Sequence, residues 1–478
     1  MRGYFRHTKI IATIGPATDS EERLGQLIAA GVDVLRLNMA HGSGEWAQEL
    51  IARARKVSNT ASRHVAIMMD VKGPEIRTGV VEQPLELAEG DVIELYTSTP
   101  SPGVRGVSVN YAGLPGDVGL GAVVLVDSGL LRLEVIEIEP TRVRCRVLTP
   151  GKLGSRRHIN LPGIQVGLPA LTEKDEADVK AGVAAGIDFI ALSFVRRPED
   201  VRLLRDYLQS LGSKARIISK IEDQSGVKNL HAIVKESDAI MVARGDLGIE
   251  IDYYTLPLVQ TQIVDLCLNE GKPVIIATHL LESMISAPMP TRAEISDVST
   301  AVRERADAVM LSGETTTGRY PLECVEAMKQ IVCTIEPTEK RWLNESIELI
   351  EPKHKMLRAA AVLATDLGGE SGIVVFTRSG LLAYMLAAMR AVGVPIYAFT
   401  DDEALFRQLI LLWGVEPFLM PFSADPEQTV RNALAYLRRG EWCSDDAWLV
   451  VVTNALAHGE MIDSLQLRQI RATVPAHA

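Results

Sequence analysis

Cysteine is scarce in this chain and never closely paired. The 478 residues hold five cysteines, Cys145, Cys267, Cys324, Cys333 and Cys443, with no CxxC spacing among them. Such scatter excludes a disulfide framework and a zinc knuckle and fits a reducing cytosol. Long apolar runs are missing too. After the basic positions Arg2, Arg6 and Lys9 the apolar stretch is only Ile10 to Ile14, too short for a signal-peptide core. No run elsewhere reaches membrane-spanning length. Positive charge is in deficit: 50 Lys and Arg against 61 Asp and Glu give a net charge of −11. That disfavours a nucleic-acid polyanion as partner but leaves small anions open wherever cations or backbone amides gather locally. No low-complexity tract or long internal repeat occurs. The expectation is a soluble cytoplasmic protein of about three domains, with 47% hydrophobic and 23% charged residues as in ordinary globular chains.

What is present is a recurring unit: a short apolar run, a polar end, then a helix-period segment. Runs fall at Lys9–Ile14, Val32–Met39 and His64–Asp70, with helices expected over Ser20–Ala30 and Glu45–Asn59. The pattern stops from about Val71 to Val166 and resumes with a helix at Glu173–Ala185. Further runs follow at Ile187–Phe194, Arg216–Glu222, Ala239–Asp246, Pro273–His279 and Ala308–Ser312. Eight βα units are the number that closes a parallel barrel. The interruption alternates over short distances, as in LRLEVIEIEPTRVRCRVL, and reads as a small antiparallel β domain inserted after the third strand. Entering at the carboxyl end of that strand, it can act as a lid. After about Pro337, runs at Gly372–Gly380, Val394–Thr400 and Asp446–Asn454 alternate with helices and predict an open α/β sheet. That region has no acidic cluster and reads as regulatory or oligomeric. The expected organisation is a (β/α)8 barrel at 1–70 and 167–337, a small β-barrel lid at 71–166, and a C-terminal open α/β domain at 338–478.

Barrel chemistry is assembled at the carboxyl ends of strands, and here those ends are charged. The second run ends in Arg36, Leu37 and Asn38, the third in Asp70, and the fifth in Lys220 and Glu222. The sixth ends in Ala243, Arg244, Gly245 and Asp246, the seventh in Thr278 and His279, the eighth in Ser312, Gly313 and Glu314. Positions two apart on a strand share a face, so Lys220 and Glu222 belong together; a purely structural ion pair is the alternative reading. Glu222 and Asp246, on successive strands, can share a hard divalent cation whose shell water and substrate oxygens complete, as Mg2+ prefers. Lys220 then serves as a fixed charge for a phosphate or oxyanion, and Arg36 and Arg77 offer guanidinium forks. The site reads as one for an anionic phosphorylated substrate plus a metal, doing phosphoryl transfer or enolate chemistry.

Along nearly its whole length the chain resembles the pyruvate kinase family. The stretches that carry the resemblance are TKIIATIGPA (8–17), RLNMAHG (36–42), MDVKGPEIRTG (69–79) and NLPG (160–163). SKIED (219–223), MVARGDLGIE (241–250), ATHLLESMI (277–285), PTRAEISDV (290–298) and MLSGET (310–315) complete the set. The resemblance implies Mg2+- (or Mn2+-) dependent transfer of the phosphoryl group of phosphoenolpyruvate to ADP, giving ATP and an enolate that is protonated to pyruvate. It implies Glu222 and Asp246 as Mg2+ ligands, Lys220 and Arg36 at the phosphoryl group, and Thr278 near the carbon that is protonated. Gly245 and Asp246 would hold the substrate carboxylate by their backbone. Pro16, Asn38, His41 and Arg157 are similar to nucleotide contacts, and Asn38, Asp70 and Val71 to potassium ligands. A homotetramer is also implied. Among rivals, another Mg2+ barrel acting on pyruvate enolates leaves the lid unused, and a silent sugar-phosphate sensor needs none of the intact catalytic set.

Three departures from the family matter. Ala40 stands where serine is usual and Val71 where threonine is, so the potassium site lacks a side-chain ligand, although Glu75 is the residue that accompanies potassium dependence. His279 replaces a glutamine, and strand alternation is expected to turn it away from Thr278. In the last domain Thr377, Arg378, Ser379 and Gly380 form a turn between strand and helix, a phosphate nest that the resemblance makes an effector site. Leu381 and Leu382 follow where bisphosphate users carry polar residues, and the tail from His458 to Asp463 shows no cationic second anchor. A sugar monophosphate rather than fructose 1,6-bisphosphate is therefore the expected activator.

Overall fold

In the computed structural model, residues 5–473 are described apart from 62, 99–100, 102–103, 339–342, 348 and 458–459. Eight strands close a parallel barrel: β1 (Lys9–Ile14), β2 (Val34–Asn38), β3 (Ala66–Asp70), β4 (Phe189–Leu192), β5 (Arg216–Ile221), β6 (Ala239–Ala243), β7 (Val274–Ala277) and β8 (Ala308–Leu311). All but parts of β2 and β5 are buried on both faces, because a parallel barrel has a packed interior as well as a coat of helices. Ile11, Met68, Phe189, Met241 and Met310 fill the interior, while the outward residues Ile10, Leu35, Ile67 and Ile190 pack against the surrounding helices. Ser20 caps the helix Glu21–Ala30, Ser43 the helix Gly44–Thr60, and a Thr172–Asp175 capping box starts Glu173–Ala184, where the barrel pattern resumes.

The sequence between β3 and the helix Glu173–Ala184 forms a separate sheet domain with its own apolar core around Ile93, Leu133, Val135 and Val143. Its main sheet has six strands, antiparallel as expected except where Val92–Tyr96 runs parallel to Gly106–Ser108. Leaving from Asp70, it stands at the carboxyl end of the barrel.

The C-terminal sheet has five strands, β9 (Ser371–Phe376), β10 (Ile396–Thr400), β11 (Val415–Leu419), β12 (Trp448–Ala457) and β13 (Glu460–Gln469), in the order β11-β10-β9-β12-β13. Two of these, β11 and the antiparallel β13, correct the expectation of three. The tail from His458 to Asp463, without a cationic second anchor in its sequence, falls in the β12–β13 hairpin, and His458 lies outside the described residues. This domain sits under the amino-terminal end of the barrel. Ile410 and Leu411 reach into the barrel's interior cluster, and Arg407 pairs with Asp188, just before β4, at 2.8 Å. A second interdomain pair, Arg390 with Asp307, is fully buried at 1% exposure on both sides. No helix among the described residues is long and apolar enough to cross a membrane.

Candidate active site

At the open end of the barrel the charged strand ends converge around Lys220. It is penultimate in β5, and Glu222 is the first residue beyond the strand. Lys220, Glu222 and Asp70 are 8%, 1% and 2% exposed, so the cluster survives only through mutual neutralisation. Lys220 Nζ lies 3.1 Å from Asp70 Oδ1 and 2.8 Å from Glu222 Oε1, and donates to Ser193 Oγ at 2.8 Å. Burial opposes its charge, but Asp70 and Glu222 outweigh it and hold the ammonium above its ordinary pKa. Arg36 donates through Nε to Asp70 Oδ2 at 2.7 Å and through Nη1 to Thr13 Oγ1 at 3.0 Å. Burial would raise the Asp70 carboxyl, yet Lys220 and Arg36 together hold it below the usual value. The expected pairing of Lys220 with Glu222 is present, and Arg36 and Asp70 join it.

Glu222 behaves differently. Burial first, then the neighbouring charges of Asp246 and Asp70, push it up to about 7 despite Lys220. Asp246 is half-buried and its side chain has no hydrogen-bond or ion-pair partner among the described residues. Among those residues no group of three His, Cys, Asp or Glu side chains could hold a metal alone. Two crowded carboxylates, one unpartnered, fit a divalent cation that keeps water or substrate oxygens as its other ligands. The expected strand position of Gly245 and Asp246 needs correction: β6 ends at Ala243, and both residues lie in the first turn of a short helix, Arg244–Glu250.

Thr278 and His279 also fall beyond their strand. β7 ends at Ala277, and Thr278 (φ 69°) and His279 (φ 55°) adopt left-handed backbone conformations, rare for a β-branched residue. Alternation therefore does not govern His279. A Cβ on Gly245 would sit 3.4 Å from Thr278 Oγ1 and 3.6 Å from His279 Cε1, so both side chains come to the same glycine. His279 is otherwise exposed, 3.8 Å from Glu282. Thr278 Oγ1 accepts from the Gly245 amide at 2.7 Å and donates to the Ala277 carbonyl at 2.6 Å. Arg244 fixes the turn: Nη2 and Nε donate to the Thr278 carbonyl at 2.6 and 3.2 Å, and Nη1 and Nη2 pair with Asp297 at 2.7 and 2.8 Å.

The potassium candidates already have protein partners. Asn38 Oδ1 accepts from the Ala40 amide at 3.1 Å, the Val71 carbonyl accepts from Ser193 Oγ at 2.7 Å, and Asp70 holds Arg36 and Lys220. Glu75 is engaged by Lys72 and Arg77. Pro16 and His41 are exposed on loops after β1 and β2. Arg157 pairs with Asp127 and Arg77 with Glu75, both arginines in the inserted domain and neither bonded to the Lys220 cluster. In the C-terminal turn, Thr377 Oγ1 accepts from the Gly380 amide at 2.9 Å and Ser379 Oγ from the Leu381 amide at 3.4 Å, so two amides of the expected nest are spent on the turn itself. Ser193, Thr13 and Arg244 are the residues that sequence reasoning assigned no part.

The family model described as "Pyruvate kinase, barrel domain" matches residues 5–325, and "Pyruvate kinase, alpha/beta domain" matches 354–465. Plastidial pyruvate kinase 2 of Arabidopsis thaliana is 40% identical, over 97% of this chain and 81% of its own length. A pyruvate kinase of Staphylococcus aureus is 39% identical, over 95% of this chain and 78% of its own. The crystal structure of a pyruvate kinase from Cryptosporidium parvum superposes with a TM-score of 0.91 at 34% identity, covering 97% of this chain and 96% of that one. Matched from barrel to C-terminal sheet, this chain belongs to the pyruvate kinase family and is a phosphotransferase.

Proposed function

We propose that the site around Lys220 transfers the phosphoryl group of phosphoenolpyruvate to ADP and then protonates the resulting enolate to pyruvate, the closing step of glycolysis. The observation that carries this is a buried lysine paired with Asp70 and Glu222 at the barrel mouth, with Asp246, unpartnered among the described residues, acting on Glu222. The P–O bond to the enol oxygen breaks as one forms to a β-phosphate oxygen of ADP, and the enolate carbon takes up a proton. A loose transition state of this kind needs positioning and positive charge rather than a covalent partner. Lys220, held by Asp70, Glu222 and Ser193, and Arg36, held by Asp70 and Thr13, present fixed cations to the phosphoryl group. Bound at Glu222 and Asp246, Mg2+ (or Mn2+) would supply neutralising charge to phosphate oxygens. Thr278 stands where the proton is delivered, and its hydroxyl, now on the Gly245 amide, exchanges partners when the substrate carboxylate takes that amide.

Asn38, Asp70 and Val71 are proposed for a weakly held monovalent cation, and Pro16, Asn38, His41 and Arg157 for the nucleotide. The Thr377–Gly380 turn is proposed as regulatory, answering to a sugar monophosphate in a homotetramer. A coupled assay with phosphoenolpyruvate, ADP and Mg2+ tests the central reading. Pyruvate and ATP should form in equal amounts; a metal-dependent pyruvate-forming reaction indifferent to ADP would refute it.

A further inference from the structure

Between the regulatory turn and the underside of the barrel lies a cleft of about 350 Å³, lined by Arg205, Lys214 and Arg216 from the barrel and by Arg378 and Ser379 from the turn. Its size falls within the ordinary range for small-molecule sites. Four cations face two lining carboxylates, Asp238 and Asp402, a local excess of positive charge in a chain of net charge −11. The cations divide into two kinds. Arg216 is fixed: it bonds Gln408 at 3.0 Å and the Ser379 carbonyl at 3.2 Å, lies 4.6 Å from the centre of the Tyr384 ring and pairs with Asp238 at 3.7 Å. Arg205 is tied to Asp238 at 3.1 Å. Lys214 and Arg378, by contrast, are 73% and 71% exposed, one on each lip; Lys214 is held by Asp402, and Arg378 by Asp401 and by the Phe422 ring 5.2 Å away. Exposed pairs of this sort are worth little, so both cations can turn onto a bound anion at small cost.

We infer that this interdomain cleft binds a compact phosphate monoester, with Lys214 and Arg378 closing on the phosphate from opposite domains over the fixed Arg216. The inference rests on the turn being regulatory, as proposed above, and changes where its ligand sits. The nest amides of Gly380 and Leu381 are already taken by Thr377 and Ser379, whereas the cleft offers Lys214 and Arg378, exposed cations each in a single ion pair. It also supplies, from the catalytic domain, the cationic second anchor that the C-terminal tail lacks in sequence. A ligand touching both lips favours whichever domain arrangement brings them together. Arg216 opens β5, and Lys220 lies four residues further along the same strand, roughly 13 Å at the usual rise. The cleft and the phosphoryl site are thus the two ends of one rigid element.

The test is calorimetric titration of the full-length protein with glucose 6-phosphate and, separately, inorganic phosphate, with phosphoenolpyruvate, itself a phosphate monoester, and ADP both absent. Wild type, Lys214→Ala, Arg378→Ala and Thr377→Ala are compared. The expected result is binding of glucose 6-phosphate to wild type, weakened at least tenfold in Lys214→Ala and in Arg378→Ala, and changed less than twofold in Thr377→Ala. Lys214→Ala should turn over normally without effector but lose the effector's influence on half-saturation by phosphoenolpyruvate. Glucose 6-phosphate and phosphate binding alike would assign the contacts to the phosphate group alone; preference for the sugar ester would extend them to the ring. Wild-type affinity in Lys214→Ala with loss in Thr377→Ala overturns the cleft and leaves the turn as the site. No binding to wild type by either probe overturns both.

Discussion

The Arg244→Lys variant probes how the Thr278 turn, proposed above for proton delivery, is held. Thr278 occupies a backbone region (φ 69°) that costs a non-glycine residue about 1–3 kcal/mol, and the Arg244 fork on its carbonyl opposes that cost. The guanidinium makes two bonds to the Thr278 carbonyl and two to Asp297. A lysine ammonium carries the charge but not the planar fork, and satisfies one acceptor at the expense of the other. Losing one charge-assisted bond of about 1.5–3 kcal/mol at a turn already under strain should displace the Thr278 hydroxyl and, with it, the Gly245 amide. Expressed as a barrier of about 1.5–3 kcal/mol, that is a fall in kcat of about 10- to 150-fold. Steady-state kinetics should show the fall in kcat with a smaller change in KM for phosphoenolpyruvate. Exchange of the methyl protons of pyruvate with deuterated solvent should fall in parallel, while the melting temperature stays within a few degrees. Full exchange and normal kcat in a folded Arg244→Lys protein would refute the reasoning.

Three other outcomes follow from the geometry. Glu222→Gln and Asp246→Asn should each raise the Mg2+ concentration for half-maximal rate at least about tenfold, measured by metal titration at saturating substrates; an unchanged midpoint removes that residue from the metal shell. Activity in buffer free of sodium and potassium should drop and recover on adding potassium chloride, because Asn38, Asp70 and Val71 offer oxygens despite Ala40; full activity without either ion excludes the monovalent site. Arg390→Met leaves Asp307 buried with, among the described residues, only the Val274 and Trp413 amides as donors, and should lower unfolding stability by about 3–5 kcal/mol in urea titrations.

Much of this was legible in the chain. The eight barrel strands follow from short apolar runs recurring between helical periods, since a strand buried on both faces must be apolar throughout. Lys220, Glu222, Asp70 and Arg36 announced themselves as charges at the ends of such runs, where an interior would not tolerate them unpaired. Positions just past a strand were less readable. His279 was assigned by alternation, but β7 stops at Ala277 and the next two residues turn left-handed. Asp246 lies in a helical turn that a run of MVARGD does not distinguish from strand. β11 escaped notice because its VEPFL carries Pro417, tolerable at the sheet edge it occupies. Ser193 and Arg244 meet their partners 27 and 34 positions away, contacts that no local pattern encodes. The same limit hid the cleft, whose lips come from loops of two domains.

The central claim is that Lys220 is a fixed charge at the phosphoryl group and not the proton donor, and rapid-quench analysis of Lys220→Gln tests it most directly. ATP formation from phosphoenolpyruvate and ADP should fall by about 10²–10³-fold, while solvent exchange of the pyruvate methyl protons, which depends on the Thr278 turn, persists to a much greater extent. Normal ATP formation, or abolished exchange alongside largely retained phosphoryl transfer, would contradict it.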